Sequence, residues 1–215
     1  ALMIAFCRLL LPVRTLVIVL VTPNKKKKFM VLPIYTYGQP VLRKVAKDIP
    51  LDYPDLKELI QDMFETNTAS DGVGLAAPQI GKSIRVVIVD LDVLSDTFPE
   101  YKDYRHAFIN GHILEYDDSE TETMEEGCLS LPGLHENVTR AKRIYVKWLD
   151  ENLVEHEEWV DGYLARVIQH EFDHLEGRVF TDRLTPFRKQ MITSKLKALL
   201  QGKIRCHYRV KAPRK

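Results

Sequence analysis

The sequence predicts an α+β fold, and three observations carry that prediction. Two segments with helical spacing of apolar residues, 54–69 and 162–175, stand far apart in the chain. Between them, 84–89 and 144–160 read as strands. Helices and strands therefore segregate instead of alternating as βαβ units would require. The 215 residues are 45% hydrophobic and 28% charged, which excludes collagen-like, wholly disordered and polytopic membrane chains.

Residues 1–29 read as a non-domain N-terminal extension. The apolar run 9–21 is interrupted by Pro12 and Arg14 and is followed by Lys25–Lys28. It is shorter than the roughly 20 residues of a spanning helix, and no small-x-small cleavage site follows it. No membrane contact is expected. From Met30 the pattern is compact, so residues 30–182 form the predicted domain body. In 54–69, Leu56, Leu59, Ile60, Met63 and Phe64 fall on one helical face, and Pro54 suits the first turn. Gly72-Val73-Gly74 calls for a turn or a close backbone approach. The β-branched run 84–89 predicts a buried strand, 95–105 a polar loop, and the acidic stretch 113–126 two short strands. Ile144, Val146 and Trp148 alternate with polar residues, Asp150-Glu151-Asn152 turns the chain, and 154–160 returns as a hairpin partner. Over 162–175, Leu164, Val167, Ile168, Phe172 and Leu175 define an apolar helix side.

Thr185-Pro186 supplies an N-cap and first-turn proline for another helix, ended by Gly202, with a short strand expected over 204–210. This basic C-terminal helix and tail, 183–215, is expected to pack on the domain through Phe187, Met191 and Leu199. Arg188, Lys189, Lys195, Lys197 and Lys203 would face outward. The net charge of +1 hides a division: 1–29 has six basic and no acidic residues, 30–182 has 14 and 30, and 183–215 has 11 and none. A basic tail on an acidic body suggests an anionic partner or a plain solvated face. Three scattered cysteines, Cys7, Cys128 and Cys206, form no disulfide framework and favour a reducing, cytoplasmic location.

The strongest chemical signal is His170-Glu171-Phe172-Asp173-His174. Residues i and i+4 share a helix face, so both imidazoles can reach one metal, with Glu171 placed to act as general base on a water. A catalytic site wants a third protein ligand. Cys128, in Glu126-Gly127-Cys128-Leu129-Ser130, stands at a glycine-marked strand end, although an isolated cysteine is also simply a small buried hydrophobe. Gly72-Val73-Gly74-Leu75-Ala76-Ala77-Pro78-Gln79 offers a low wall against which a peptide backbone can lie, and an uncharged amide donor.

Together these three segments resemble the peptide deformylase family, which carries G-Φ-G-Φ-A-A-x-Q, E-G-C-Φ-S and H-E-Φ-D-H in this order, Φ being apolar. The resemblance covers about residues 30–182. It implies mixed, largely antiparallel sheets around a central metal-binding helix. It also implies Cys128, His170 and His174 as ligands of one divalent metal with water in the fourth position. Fe²⁺ would be native, with Zn²⁺, Ni²⁺ or Co²⁺ as substitutes, since a thiolate and two imidazoles suit all four.

The implied activity is hydrolysis of the N-formyl group of the N-terminal formyl-methionine on newly made polypeptides, releasing formate. Glu171 would move the proton, and the Gln79 amide and the Leu129 backbone N–H would stabilise charge on the formyl oxygen. The peptide would lie as an extended strand beside Val73, Gly74 and Gly127. The methionine pocket would draw on Val73, Met124, Tyr163 and Val167, with Glu126 and His170 alongside. Arg166 stands where relatives commonly carry an apolar residue. Asp173, paired with Arg140, would support the site. The partners implied are formylated nascent chains and, through the basic tail, the ribosome; stable DNA binding is not expected. Two further readings of the residues remain: an H-E-x-x-H endopeptidase, against which the Cys128 segment argues, and a closed metal-stabilised binding module, against which Glu171 argues.

Overall fold

A computed structural model describes residues 29–203 and 205–213. Its first strand, β1 (Ile34–Tyr35), pairs in parallel with the last, β7 (Val210–Lys211). Helix α1 (Leu56–Thr68) follows, then β2 (Gly74–Ala76), β3 (Val86–Asp90), β4 (Arg105–Gly127), β5 (His135–Leu149) and β6 (Glu155–Asp161). These five strands form one antiparallel sheet in the order β2-β3-β4-β5-β6. Helix α2 (Gly162–Leu175) leaves β6 directly, and α3 (Pro186–Met191) and α4 (Thr193–Leu200) precede the tail. The expected α+β class, with largely antiparallel sheet around α2, is the architecture observed. The expected extension 1–29 lies outside the described residues except for Phe29. Among the described residues no helix is long and apolar enough to cross a membrane.

Helix α2 lies against the sheet because its apolar side meets the inward residues of β3, β4 and β5. Val167, Ile168, Phe172 and Leu175 are buried in one cluster with Val87, Val89, Phe108, Ile144, Val146 and Trp148. Leu164 is half-buried at its edge. Full burial of each such aliphatic or aromatic side chain contributes about 1.5–3 kcal/mol. The fit depends on Gly111, where an added Cβ would stand 2.3 Å from the Phe172 ring. Helix α1 packs Leu59, Ile60, Met63 and Phe64 on a second cluster around Leu75, Val86, Ile88 and Ile109. The sheet is thus covered by different apolar sets, and α2 is held with one side toward the sheet and the other toward a cleft.

Several expectations are corrected. The acidic stretch 113–126 is not two short strands but part of the 23-residue β4. Three register shifts against β5, at Ile109/His112, Ile113/Glu115 and Asp117/Thr121, break its alternation and disguise its continuity. Helix α1 starts at Leu56, after Asp55 in the left-handed region (φ 55), so Pro54 stands ahead of the helix and not in its first turn.

In the tail, Thr185 does cap α3, its Oγ1 accepting from the Arg188 N–H at 3.3 Å. The helix breaks at Ile192, however, and α4 begins afresh. Ile192, Leu196 and Leu199 face the body beside Leu131, Leu134 and Phe180. Phe187 and Met191 are instead 67% and 61% exposed. Arg188 is not a free outward cation, because its Nε donates to buried Glu136 at 3.0 Å. The expected strand over 204–210 shortens to β7, with Ile204 outside the described residues.

Candidate metal centre

The centre is built where the end of β4 meets the C-terminal half of α2. His170 and His174 stand one helical turn apart with ring centroids 5.4 Å from each other. Cys128, just past β4, brings its Sγ to 3.3 Å from His174 Nε2. Among the described residues these three form the group suited to a metal ion, with one ligand atom from each, all within 4.8 Å. His170 Nδ1 lies 2.9 Å from Glu126 Oε2, which leaves Nε2 for the centre.

The electrostatics match this donor set. Burial alone would raise the Cys128 thiol, but the charge of His174 and hydrogen bonds with both imidazoles bring it down to about 5. Burial would also lower His170, yet its contacts with Cys128 and Glu126 hold it well above the ordinary imidazole range. Cys128 is thus poised as a thiolate, the form in which cysteine binds a metal. A thiolate and two imidazoles therefore fit a borderline-soft divalent ion.

Glu171 follows His170 on the helix, is 4% exposed, and its Oε2 is buried with no hydrogen-bond partner. Burial pushes its carboxyl up to about 7, against the opposing charges of His170 and His174. It is therefore tuned to exchange a proton near neutrality. Gly74 permits its approach: a Cβ there would meet Glu171 Oε1 at 2.7 Å. Gln79 is oriented by its own loop. Its Oε1 accepts from the Ala76 N–H at 2.8 Å, so Nε2 points to Ser130 Oγ at 3.3 Å and Cys128 Sγ at 3.6 Å.

Behind the centre runs a chain of buried ion pairs. Arg140 donates to both Glu126 oxygens, from Nε at 2.6 Å and Nη2 at 2.8 Å, and from Nη1 to Asp173 at 2.8 Å. Arg183 holds Asp173 with two 2.6 Å bonds. Arg166 completes the Glu126 shell with a 2.7 Å bond and also binds the carbonyls of Val138 and Glu122. Burial would raise the Glu126 and Asp173 carboxyls, but the arginines, and His170 in the case of Glu126, hold both below the usual range. Two charged carboxylates thus brace α2 and orient His170.

The centre opens into a cavity of about 320 Å³. Val73, Gly74, Gln79, Glu126, Gly127, Cys128, Leu129, Tyr163, Val167, His170 and Glu171 line it, so most sequence-predicted site residues share this space. Met124 is not among its lining residues, and His174 lies fully buried beneath it. Arg166 lines the cavity with its charge turned toward Glu126. Sequence reasoning missed Arg183 and Tyr208, which carry no local motif, and passed over Ser130, which ends one.

Comparison with known proteins then gives consistent matches. The family model described as polypeptide deformylase matches residues 31–190. The chain is 46% identical over 189 residues to a peptide deformylase of Flavobacterium psychrophilum, covering 85% of this chain and 97% of that protein. It resembles the crystal structure of a Legionella pneumophila peptide deformylase with a TM-score of 0.69 and 36% identity, covering 81% and 99% of the two chains. A Thermotoga maritima peptide deformylase gives a TM-score of 0.65 and 44% identity, over 74% and 100%.

Proposed function

The chain belongs to the polypeptide deformylase family, and on that premise we propose how its own residues divide the work. It is a hydrolase that removes the N-formyl group from newly made polypeptides. Cys128, His170 and His174 would hold the divalent metal on which the family depends. When bound, that ion would supply Lewis-acid polarisation of water and of the formyl carbonyl. Glu171 takes a proton from the attacking water at its unpartnered carboxylate oxygen and later delivers it to the departing amine. Gln79 Nε2 and the Leu129 N–H donate to the formyl oxygen as negative charge develops there. Substrate backbone lies as an added strand along Val73, Gly74 and Gly127, and Tyr163 and Val167 form walls of the methionine pocket. Arg166 turns its guanidinium from that pocket toward Glu126 and the carbonyls of Val138 and Glu122.

Within this reading Fe²⁺ is the native ion, with Zn²⁺, Ni²⁺ or Co²⁺ able to replace it. Residues 30–182 are the catalytic body, 1–29 are dispensable to it, and the exposed lysines of 183–215 contact ribosomal RNA in the cytoplasm. The observation that carries the assignment is the convergence of three ligand atoms within 4.8 Å beside a buried carboxylate with a free oxygen. Anaerobic purification, metal analysis and a formate-release assay on formyl-Met-Ala-Ser, all on one sample, test it. Formate release in proportion to bound metal is expected. Cleavage of internal peptide bonds, or formate release independent of metal, would refute it.

A further inference from the structure

The C-terminal tail is fixed beside β1, where Ile34 aligns with Val210 and Tyr35 with Lys211. Gln39 secures it again, its Nε2 donating to the carbonyls of Lys211 at 3.1 Å and Ala212 at 2.7 Å. The residues just before this anchor reach the wall of the catalytic cavity. His207 Nε2 lies 3.2 Å from Asp71 Oδ2. The Tyr208 hydroxyl donates to the Leu129 carbonyl at 2.9 Å. Asp71, Leu129 and Tyr208 all line the cavity.

The bond to Leu129 falls at a sensitive place. Leu129 follows Cys128 directly, and the next residue, Ser130, receives the Gln79 amide. The backbone around Leu129 leaves β4 and has no sheet partner beyond Gly127, whose last pairing is with His135. The Leu129 side chain lies close to Gly72, where a Cβ would meet its Cδ1 at 3.1 Å. Tyr208 therefore supplies, from 79 residues away, a hydrogen bond on the main chain of this segment. The Leu129 carbonyl and the Leu129 N–H lie in adjacent peptide planes joined at one Cα, so fixing the first leaves only φ and ψ of Leu129 to move the second. The tyrosine ring is itself held, packed on the cluster that contains Leu75 and Val86.

We propose that Tyr208 is a positioning residue for deformylation, holding Leu129 so that its N–H is aimed at the formyl oxygen before substrate arrives. The proposal rests on the reading of Leu129 as an oxyanion donor. Pre-set donors need no reorganisation during reaction, and a displacement of a few tenths of an ångström to 1 Å costs turnover without unfolding the protein. The tail is thereby part of the catalytic apparatus and not only a cationic appendage.

The test uses the full-length, metal-loaded enzyme with Tyr208→Phe and Tyr208→Leu, on formyl-Met-Ala-Ser. Phenylalanine keeps the packed ring and removes only the hydroxyl. It should lower kcat about 10-fold, with KM, metal content and thermal midpoint nearly unchanged. The visible spectrum of the cobalt-substituted protein, which reports the Cys128 thiolate, should also be unaltered. If Tyr208→Phe keeps full kcat while Tyr208→Leu loses stability, the residue only fills space and the proposal fails. If kcat falls together with a changed cobalt spectrum, Tyr208 acts through the ligand sphere and the proposal again fails. Absence of formate release from the wild-type enzyme would instead refute the functional assignment, so the two failures are distinguishable.

Discussion

Arg140 grips Glu126 through two parallel hydrogen bonds, Nε to Oε1 at 2.6 Å and Nη2 to Oε2 at 2.8 Å, with the arginine side chain fully buried. Glu126 in turn meets His170 Nδ1, and Arg140 reaches Asp173 on the same helix. One guanidinium thus links a strand to the helix that carries both histidines. Its removal leaves two buried carboxylates with fewer counter-charges. Arg166 still holds Glu126 and Arg183 still holds Asp173, which limits the damage. Arg140→Met should cost about 3 kcal/mol, the lower end for breaking a buried ion pair. Urea denaturation checks this, and a loss comparable with that of an exposed pair would contradict the bracing role.

Glu171→Gln preserves shape but cannot accept a proton at the amide nitrogen. The carboxylate has a buried Oε2 without a partner, so no neighbouring bond depends on its charge there. The variant should retain its metal and fold while kcat falls by about 10²–10⁴. Metal analysis and formate release on the same sample decide it. Near-normal turnover in a loaded variant would remove Glu171 as the base.

Cys128→Ser makes the opposite separation. A hydroxyl is a harder and far less acidic donor than a thiol that the two imidazoles bring down to about 5. The variant should lose metal first and activity only as a consequence. Titration with Co²⁺ should show weaker binding and no thiolate charge-transfer absorption. Unchanged metal affinity would exclude Cys128 from the ligands.

Much of this arrangement can be read from sequence, for identifiable reasons. Helix α2 is legible over its full length because Val167, Ile168, Phe172 and Leu175 repeat with the helix period and all are buried. The hairpin of β5 and β6 is legible because its turn residues separate two alternating runs. Strand β4 is not, because bulges shift its inward residues from one parity to the other. The arginines are harder to place. The pair of Arg140 with Asp173, 33 residues apart, follows from the family resemblance and is found, whereas Arg166 meets Glu126 across 40 residues with no local pattern to encode it. The tail failed for a subtler reason. The side that meets the body runs through Arg188, Ile192, Leu196 and Leu199, at i, i+4, i+8 and i+11, so Phe187 and Met191, each one residue earlier in the turn, point away from it.

The body-facing side also sorts the tail's cations. Arg188 binds Glu136, which is 7% exposed, whereas Lys195, Lys197 and Lys203 are exposed. Arg188→Gln should therefore reduce stability by about 1 kcal/mol, discounted because the arginine itself is half exposed. The triple change of Lys195, Lys197 and Lys203 to Gln should leave the thermal midpoint nearly unchanged. It should instead weaken binding to ribosomes and flatten its dependence on salt. Equal thermal effects from the two variants would show that Arg188 is one more solvated charge.

Gly74 offers a way to move the base without changing its chemistry. Its backbone is not in the left-handed region, so alanine is allowed conformationally. The added methyl, however, would stand 2.7 Å from Glu171 Oε1, 2.9 Å from its Cγ and 3.0 Å from its Cδ. Contacts this short cannot persist. The backbone of β2 is pinned by its pairing with β3, Gly74 opposite Val89, so the carboxylate must give way. Its helix is buried against the sheet, and displacement is therefore confined to the side chain. Gly74→Ala should keep fold and metal while kcat falls by about 10². The decisive comparison is the double variant with Glu171→Gln. If the methyl acts by misplacing the base, a chain already lacking that base has little more to lose, and the two effects will not add. Full additivity would mean that Gly74 serves substrate contact alone, independently of Glu171.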